Sequence, residues 1–322
     1  MSSRQSLIST LKSQPFDNIS IHHASTVAFL LTIALIIILS AVSTTSLFNI
    51  PTQPVDAVSN PAVIDGSVPK LNDDKPWFYD FTNIPEGVLP TDDWYIEQGV
   101  KVAGYNDELQ AYTDRTDNVR VEDRRLIIEA RDEQLYGRDY TSARIDTRNS
   151  FAFTYGTLEV RMRAPSGTGT WPAAWLFPVD PRYNPTDFGI APNDPLAWSM
   201  NGEIDFYESV GSIPHENIPA AHSYNTLQRP TIYTPVKVPT QYSNYHTYGV
   251  IKTENSITFT LDGKPYAQRK KTSLDPLEWP FDQPYYLILN LAVGGKWAGS
   301  DGIDVATAPW KMEIQSISYK PL

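Results

Sequence analysis

Residues 201–209 read N-G-E-I-D-F-Y-E-S, so three carboxylates fall within one short run that otherwise alternates like a β-strand. Residues two apart share a face of a strand, so Glu203 and Asp205 are predicted to project together while their apolar neighbours face the core. Strict alternation would then bury Glu208, and an unpaired buried carboxylate is costly. One extra residue at positions 206–207, a β-bulge, would return Glu208 to the face of the other two.

Three carboxylates this close cannot all stay ionised, so the pKa of at least one of them must rise. Glycoside hydrolysis needs such a set, because one carboxylate attacks the anomeric carbon while a protonated one delivers a proton to the leaving oxygen. In retaining enzymes the two carboxyl groups lie about 5–5.5 Å apart. A middle carboxylate, here Asp205, can hydrogen-bond the nucleophile and move the two pKa values apart. The residues alone leave two alternatives open, an acidic solvated strand face and a calcium site.

The rest of the chain from residue 73 onward consists of short alternating runs without any long helical period. The clearest runs are RLIIEA (125–130), GTLEVRMRA (156–164), SITFTLDG (256–263), YYLILNLAV (285–293) and MEIQSISY (312–319). Glycine- and proline-containing turn signals separate them. Many short strands with turns between them predict an all-β sandwich.

The composition limits the classes of function. Charged residues make up 20% and aromatic residues 12% of the 322 residues, which suits a packed, aromatic-rich core. The net charge of −11 would repel phosphate backbones, so we expect no nucleic-acid partner, whereas a neutral substrate such as a glucan fits. The absence of cysteine excludes disulfides, thiolate catalysis and cysteine-type zinc sites.

An uncharged apolar run, VAFLLTIALIIILSAV, occupies residues 27–42 behind a polar segment at 1–26. With its flanking residues to 47 it is long enough to span a bilayer as one N-terminal hydrophobic helix. The long leading segment favours a signal anchor with the remainder outside the cytoplasm. The small residues A-V-S at 41–43 leave a cleaved signal peptide and secretion as the alternative, and a buried soluble helix is the third interpretation. Residues 48–72 are rich in proline and are predicted to be a linker to a globular domain at 73–322.

The run G-E-I-D-F-Y-E at 202–208 resembles the signature of glycoside hydrolase family 16 in its bulged form, E-x-D-x-x-E. This form is similar to that of laminarinases, agarases and carrageenases, whereas the unbulged E-x-D-x-E belongs to lichenases and xyloglucan-active enzymes. Further similar segments are N-D-E-L-Q-A-Y-T (106–113), T-S-A-R-I (141–145), F-T-Y-G-T-L-E-V-R-M-R-A-P (153–165), G-T-W-P-A-A-W-L-F-P (169–178), A-H-S-Y (221–224) and L-N-L-A-V-G-G-K-W-A-G (289–299).

The resemblance implies a jelly-roll β-sandwich with a concave substrate cleft. It also implies that Glu203 is the nucleophile, Asp205 its helper and Glu208 the acid/base. The residues expected to meet sugar or to wall the cleft are Asn106, Arg144, Trp171, Trp175, His222 and Trp297.

Five of these six side chains, all except Asn106, have a simpler alternative role. Trp171 and Trp175 could be core residues at a bend, although an indole face also covers the apolar face of a pyranose ring. Arg144 could only balance surface charge, although its fork of donors suits two sugar hydroxyls or a carboxylate. His222 could be structural, and Trp297 could only pack the edge of the sandwich.

The sequence departs from the family pattern in three places. Residues 179–201 are rich in Pro, Asp and Asn and are predicted to form an extended loop that reshapes one end of the cleft. V-I-K-T-E at 250–254 replaces the usual E-W. Ile314 and Gln315 stand where relatives often carry V-D, whose Asp commonly helps hold a structural calcium ion, so the sequence argues against calcium. The expected chemistry requires no cofactor.

The sequence therefore predicts a retaining, laminarinase-like endo-β-1,3-glucanase whose partners are a β-glucan and, through its N-terminal segment, a membrane. Three alternatives remain: a transglycosylase that remodels a wall, a hydrolase of another β-glycan such as a galactan, and a non-catalytic glucan-binding module. Relatives of the last kind typically lose one or both glutamates, and here Glu203 and Glu208 are both present. The oligomeric state stays open.

Overall fold

The computed structural model describes residues 71–89, 91–101, 106–227 and 235–322. The polar segment, the hydrophobic helix and all but the end of the linker predicted within residues 1–72 lie outside the described residues. Among the helices that are described, none is long and apolar enough to cross a membrane.

Strands dominate the described part of the chain, and its two α-helices have four residues each. The strands are β1 (Trp77–Asp80), β2 (Tyr95–Ile96), β3 (Gln110–Tyr112), β4 (Val119–Glu122), β5 (Arg125–Leu135), β6 (Arg138–Ser142), β7 (Arg144–Asp146), β8 (Gly156–Arg163), β9 (Thr170–Pro178), β10 (Glu203–Glu208), β11 (Glu216–Asn217), β12 (Ala220–His222), β13 (Val236–Lys237), β14 (His246–Lys252), β15 (Ser256–Leu261), β16 (Lys264–Lys270), β17 (Tyr285–Val293) and β18 (Trp310–Lys320). The helices are α1 (Tyr224–Leu227) and α2 (Gly295–Ala298), with 3₁₀ turns at Pro185–Phe188, Ala197–Asn201 and Val305–Thr307.

Two large sheets form the domain. The first has the strand order β16-β15-β14-β8-β18-β5-β6-β3, with β1 also paired to β18 and β4 to β5. Within it β3 and β6 run parallel, and the other pairs are antiparallel. The second has the order β12-β10-β9-β17-β7-β2 and is antiparallel throughout, and β11 and β13 form a small separate pair.

The core lies between the sheets because each strand sends alternate side chains inward. In β8, Leu158 and Val160 are fully buried, whereas Arg161 is exposed. β17 is buried on both faces. Its Leu287 belongs to the main core, and its Ile288 belongs to a second cluster on the opposite face. This is the β-sandwich that the sequence predicted.

The extended loop predicted at 179–201 contains two of the 3₁₀ turns and is tied to the sheet at its end. The Asn201 side chain accepts from Tyr183 N (2.8 Å) and donates to Tyr183 O (3.0 Å), which closes the loop on itself. The Tyr285 hydroxyl of β17 donates to Asn201 O (2.7 Å). The loop therefore ends in a fixed position directly before β10.

The second departure from the family pattern places a lysine in the interior. Lys252 is fully buried at the end of β14, and its Nζ donates to Thr154 O and to Gln283 O. Nζ also lies 5.0 Å and 4.9 Å from the ring centroids of Tyr155 and Tyr285. Burial lowers the pKa of Lys252 to about 7. Two carbonyls and two aromatic faces thus replace water around this amine.

Candidate active site

The register of β10 changes in its middle. Asp205 lies opposite Trp175 of β9, and Tyr207 lies opposite the adjacent residue Ala174, so Phe206 is the extra residue of a β-bulge. Phe206 and Tyr207 are both fully buried in the main core. Because two successive side chains point inward, Glu208 returns to the outer face, as the sequence predicted.

Glu203, Asp205 and His222 form one cluster on this face. Glu203 pairs across strands with His222 of β12. His222 Nε2 lies 3.1 Å from Asp205 Oδ2, and one polar atom from each of the three side chains lies within 4.8 Å of the others. Asp205 is 4% exposed, so water contributes little to its solvation. The structure therefore brings the predicted His222 to the two carboxylates at the start of β10.

Burial is the largest influence on the pKa values of these carboxylates. It raises the pKa of Glu203 and of Asp205 well above their ordinary range, and the charge of Asp205 raises that of Glu203 further. Burial, again with help from Asp205, raises the pKa of Glu208 to about 8. A carboxyl group with this pKa is largely protonated at neutral pH, as a general acid must be.

The two glutamates differ in their other charged neighbours. His222 lowers the pKa of both, but Arg144 also lowers that of Glu203. Glu208 instead feels a further carboxylate, Glu108, which raises its pKa. The cation near Glu203 and the anion near Glu208 favour an ionised Glu203 and a protonated Glu208.

A second group of predicted residues lies beside Glu208. Trp171 Nε1 donates to Glu208 Oε1 (2.9 Å), so the half-buried indole of β9 fixes the carboxyl group. The ring of Trp297 in α2 meets Trp171 edge to face, with 5.3 Å between centroids. Asn106 is exposed, and its Nδ2 donates to Glu108 Oε1 (3.2 Å).

Arg144 of β7 and Trp175 of β9 meet across β17, the strand that lies between theirs in the sheet. The Arg144 guanidinium lies over the Trp175 ring, 4.7 Å from its centroid. Trp175 Nε1 donates to Asn290 Oδ1 of β17 (2.8 Å), and Asn290 Nδ2 donates to the Tyr112 hydroxyl (3.4 Å). Trp175 is thus held in the sheet by a chain of hydrogen bonds through Asn290 to Tyr112, and the Arg144 guanidinium covers one face of its ring.

Two residues of this region escaped the sequence-based prediction. Glu108 is 8% exposed, accepts from Gln110 Nε2 (2.6 Å), and has a pKa raised by burial. Trp198, in the 3₁₀ turn before β10, is 44% exposed, and its ring centroid lies 5.5 Å from that of His222. Two features of the sequence could have pointed to them: Glu108 lies two positions after Asn106, and Trp198 lies five positions before Glu203.

Among the described residues, the side chains spaced closely enough to hold a metal ion are those of the carboxylate cluster itself. They are Glu203, Asp205 and His222. At the position of the family's calcium ligand, Gln315 Oε1 accepts from Arg161 Nε (2.8 Å). Since a guanidinium cation already occupies this oxygen and would repel Ca²⁺, the residues there do not fit a calcium ion.

The fold and the carboxylate cluster define a glycoside hydrolase, and residues 106–312 match the model of the family described as glycosyl hydrolases family 16. The chain belongs to this family. A β-glucanase from Rhodothermus marinus is 38% identical over 247 residues, covering 74% of this chain and 81% of that protein. Glucan endo-1,3-β-glucosidase A1 from Niallia circulans is 30% identical over 243 residues, covering 70% of this chain and 34% of that longer protein.

A solved structure shows the same architecture. The laminarinase from Rhodothermus marinus has a TM-score of 0.69 to this chain at 36% identity, covering 76% of this chain and 96% of that one. This likeness confirms the predicted jelly-roll fold.

Proposed function

We propose that the chain is a retaining endo-β-1,3-glucanase of the laminarinase type. Family membership and the similarity to a β-glucanase, a glucan endo-1,3-β-glucosidase and a laminarinase support the reaction and the substrate class. The observation that carries the proposal is the bulge in β10, which puts Glu208 on the face of Glu203 and Asp205.

In the proposed first step, ionised Glu203 attacks the anomeric carbon as the glycosidic C–O bond breaks. Protonated Glu208 gives its proton to the departing oxygen, which leaves a covalent glycosyl-enzyme and an ionised Glu208. In the second step, Glu208 takes a proton from water, whose oxygen attacks the same carbon and releases Glu203. Asp205 and His222 act through the pKa values of both glutamates. Two displacements retain the anomeric configuration.

Release of reducing ends from laminarin by the purified chain tests the substrate class. We expect a range of oligosaccharides from early times and a first product in the β configuration by proton NMR. Products longer than the supplied chains would instead support the transglycosylase alternative. Cleavage of agar or carrageenan but not laminarin would support the galactanase alternative, and binding without cleavage would support the binding module.

We also propose that residues 27–47 anchor the chain in a membrane with the catalytic domain outside the cytoplasm. The support is the uncharged apolar run itself and the positive charges that precede it. The chain should fractionate with membranes, and protease added outside intact cells should digest the catalytic domain. A shortened soluble protein beginning near Ser43 or Thr44 would establish the secreted alternative.

The proposed mechanism requires no metal or organic cofactor. Both displacement steps use carboxyl groups and water alone. We therefore propose that activity on laminarin and the melting temperature are the same with and without a chelator. A fall in either one that added Ca²⁺ reverses would contradict this.

A further inference from the structure

Within the described residues, β10 has no paired strand on its β12 side beyond Asp205. β12 pairs with β10 at Glu203, Ile204 and Asp205, and the pairing ends there. The C=O of Phe206 and the N–H of Glu208 lie beyond it. Phe206 is fully buried, so these backbone groups need partners other than water.

One buried side chain satisfies both groups. Asn217 of β11 is fully buried, its Oδ1 accepts from Glu208 N (3.0 Å), and its Nδ2 donates to Phe206 O (3.1 Å). A carboxamide offers the same donor and acceptor as a peptide unit. The Asn217 side-chain amide therefore takes the place of a backbone peptide group of a neighbouring strand. Ile218 N donates to Glu208 O (2.8 Å), so both backbone groups of Glu208 are held.

The amide makes a third hydrogen bond, away from β10. Asn217 Nδ2 also donates to the Tyr266 hydroxyl of β16 (2.9 Å). The N–H of Glu208 faces the amide oxygen, and the C=O of Phe206 faces the amide nitrogen, so these two backbone groups already fix the orientation of the amide. The amide can be kept while this third bond is removed, which provides a matched control.

We propose that Asn217 is a positioning residue that sets the place of the acid/base carboxyl group by bridging the bulge. The inference rests on the proposed function, in which Glu208 delivers the proton. Trp171 fixes the outer end of the Glu208 side chain and Asn217 fixes its backbone. A displacement of about 1 Å at a catalytic group can lower the rate about 100-fold.

The test compares two substrates in Asn217→Ala, Asn217→Asp and Tyr266→Phe. Laminarin has a poor leaving group and needs the proton from Glu208, whereas a dinitrophenyl β-glycoside leaves without protonation. For Asn217→Ala we expect kcat/KM on laminarin to fall about 10- to 100-fold, with little change on the dinitrophenyl substrate. Tyr266→Phe should resemble the wild type on both substrates.

Asn217→Asp keeps the test decisive if Asn217→Ala fails to fold. Asn217→Asp keeps an acceptor for Glu208 N–H but cannot donate to Phe206 O, so it should show the same substrate split to a smaller extent. Equal losses on both substrates, or wild-type activity on both, in a variant that unfolds cooperatively would overturn the inference. A wild-type chain that cleaves neither substrate would overturn the proposed function, and the two failures are thereby distinguished.

Discussion

Glu203 and Glu208 carry the same side chain on the same sheet face, but their charged neighbours differ. Arg144 lies near the first and Glu108 near the second, while His222 acts on both. Burial raises the pKa of both glutamates, and these unequal neighbours shift the two values in the directions that a nucleophile and an acid require.

Replacing either glutamate by Gln tests these roles. Glu203→Gln and Glu208→Gln each remove one chemical step, so kcat on laminarin should fall by on the order of 1,000-fold or more. Both variants should unfold as cooperatively as the wild type. Azide should restore activity to Glu203→Ala and give a product of inverted configuration, because it occupies the space of the lost carboxylate. Substantial turnover of laminarin by either Gln variant would contradict the catalytic role assigned to that glutamate.

The raised pKa of Glu208 also predicts how stability depends on pH. In the unfolded chain a glutamate releases its proton near pH 4.5, whereas the folded chain holds it up to about pH 8. The unfolded state therefore binds fewer protons at this residue between these values, and the contribution of Glu208 to the free energy of unfolding falls as the pH rises. Glu208→Gln removes this dependence.

Urea unfolding measures the difference. Relative to the wild type, Glu208→Gln should gain stability progressively from pH 4.5 to pH 8, reaching at least about 1 kcal/mol, and should gain almost none at pH 4. The exposed Glu254→Gln controls for the loss of one negative charge. A difference between Glu208→Gln and the wild type that is the same at pH 4 and pH 8 would contradict the raised pKa.

Trp171 offers a test of hydrogen bonding separate from ring contact. Its N–H lowers the pKa of Glu208, so Trp171→Phe should move the alkaline limb of the kcat/KM profile to higher pH. Trp171→Ala should in addition lose about 1–3 kcal/mol of transition-state binding through lost ring contact, with little change in melting temperature. An unchanged pH profile in Trp171→Phe would show that the bond does not act on the acid.

At the level of single residues, sequence reasoning predicted which side chains lie together where a motif supplied the position. The carboxylates and His222 lie in recognisable runs, whereas Asn217 is one amide in a segment without a motif. Its role depends on where β11 meets the bulge and β16, which is a three-dimensional relation between distant segments.

Among the elements, β10 depends on the residue that precedes it. Gly202 has φ of 84°, and a Cβ there would collide with the Tyr285 hydroxyl and approach Phe281 to 2.9 Å. Gly202→Ala should therefore lower stability by about 2–4 kcal/mol through strain and overpacking, and should reduce activity by shifting the start of the catalytic strand.

Gly263 provides the matched control for backbone strain alone. It has φ of 74° with open space around its Cβ position, so Gly263→Ala should cost about 1 kcal/mol and leave kcat unchanged. Thermal unfolding and laminarin hydrolysis measure both variants. Equal effects of the two substitutions would show that packing at Gly202 is unimportant.

Strand alternation and the bulge followed from the sequence because each depends on neighbouring residues. The order of strands did not, since it depends on pairing between segments far apart, such as β1 with β18. The loop at 179–201 was predicted as an extended loop, but its 3₁₀ turn that carries Trp198 was not. No periodicity distinguishes such a short turn from irregular chain.

On the scale of the whole molecule, the two sheets have different roles. The ten-stranded sheet supplies one wall of the core, and the six-stranded sheet carries the site residues of β7, β9, β10 and β12 on its outer face. Residues 1–26 and the predicted anchor at 27–47 lie outside the described residues, so their place in the molecule stays a prediction.

The position of β18 has a consequence for when the domain can fold. Synthesis from the amino end delivers residues 310–320 after every other described strand, yet they lie between β8 and β5 in the larger sheet. Until they arrive, β8 and β5 lack this shared partner and retain open edges, and the contacts still missing are far apart in sequence, which slows folding. The larger sheet can therefore close only when residues 310–320 are available, and we expect the domain to complete its fold after, and not during, its synthesis.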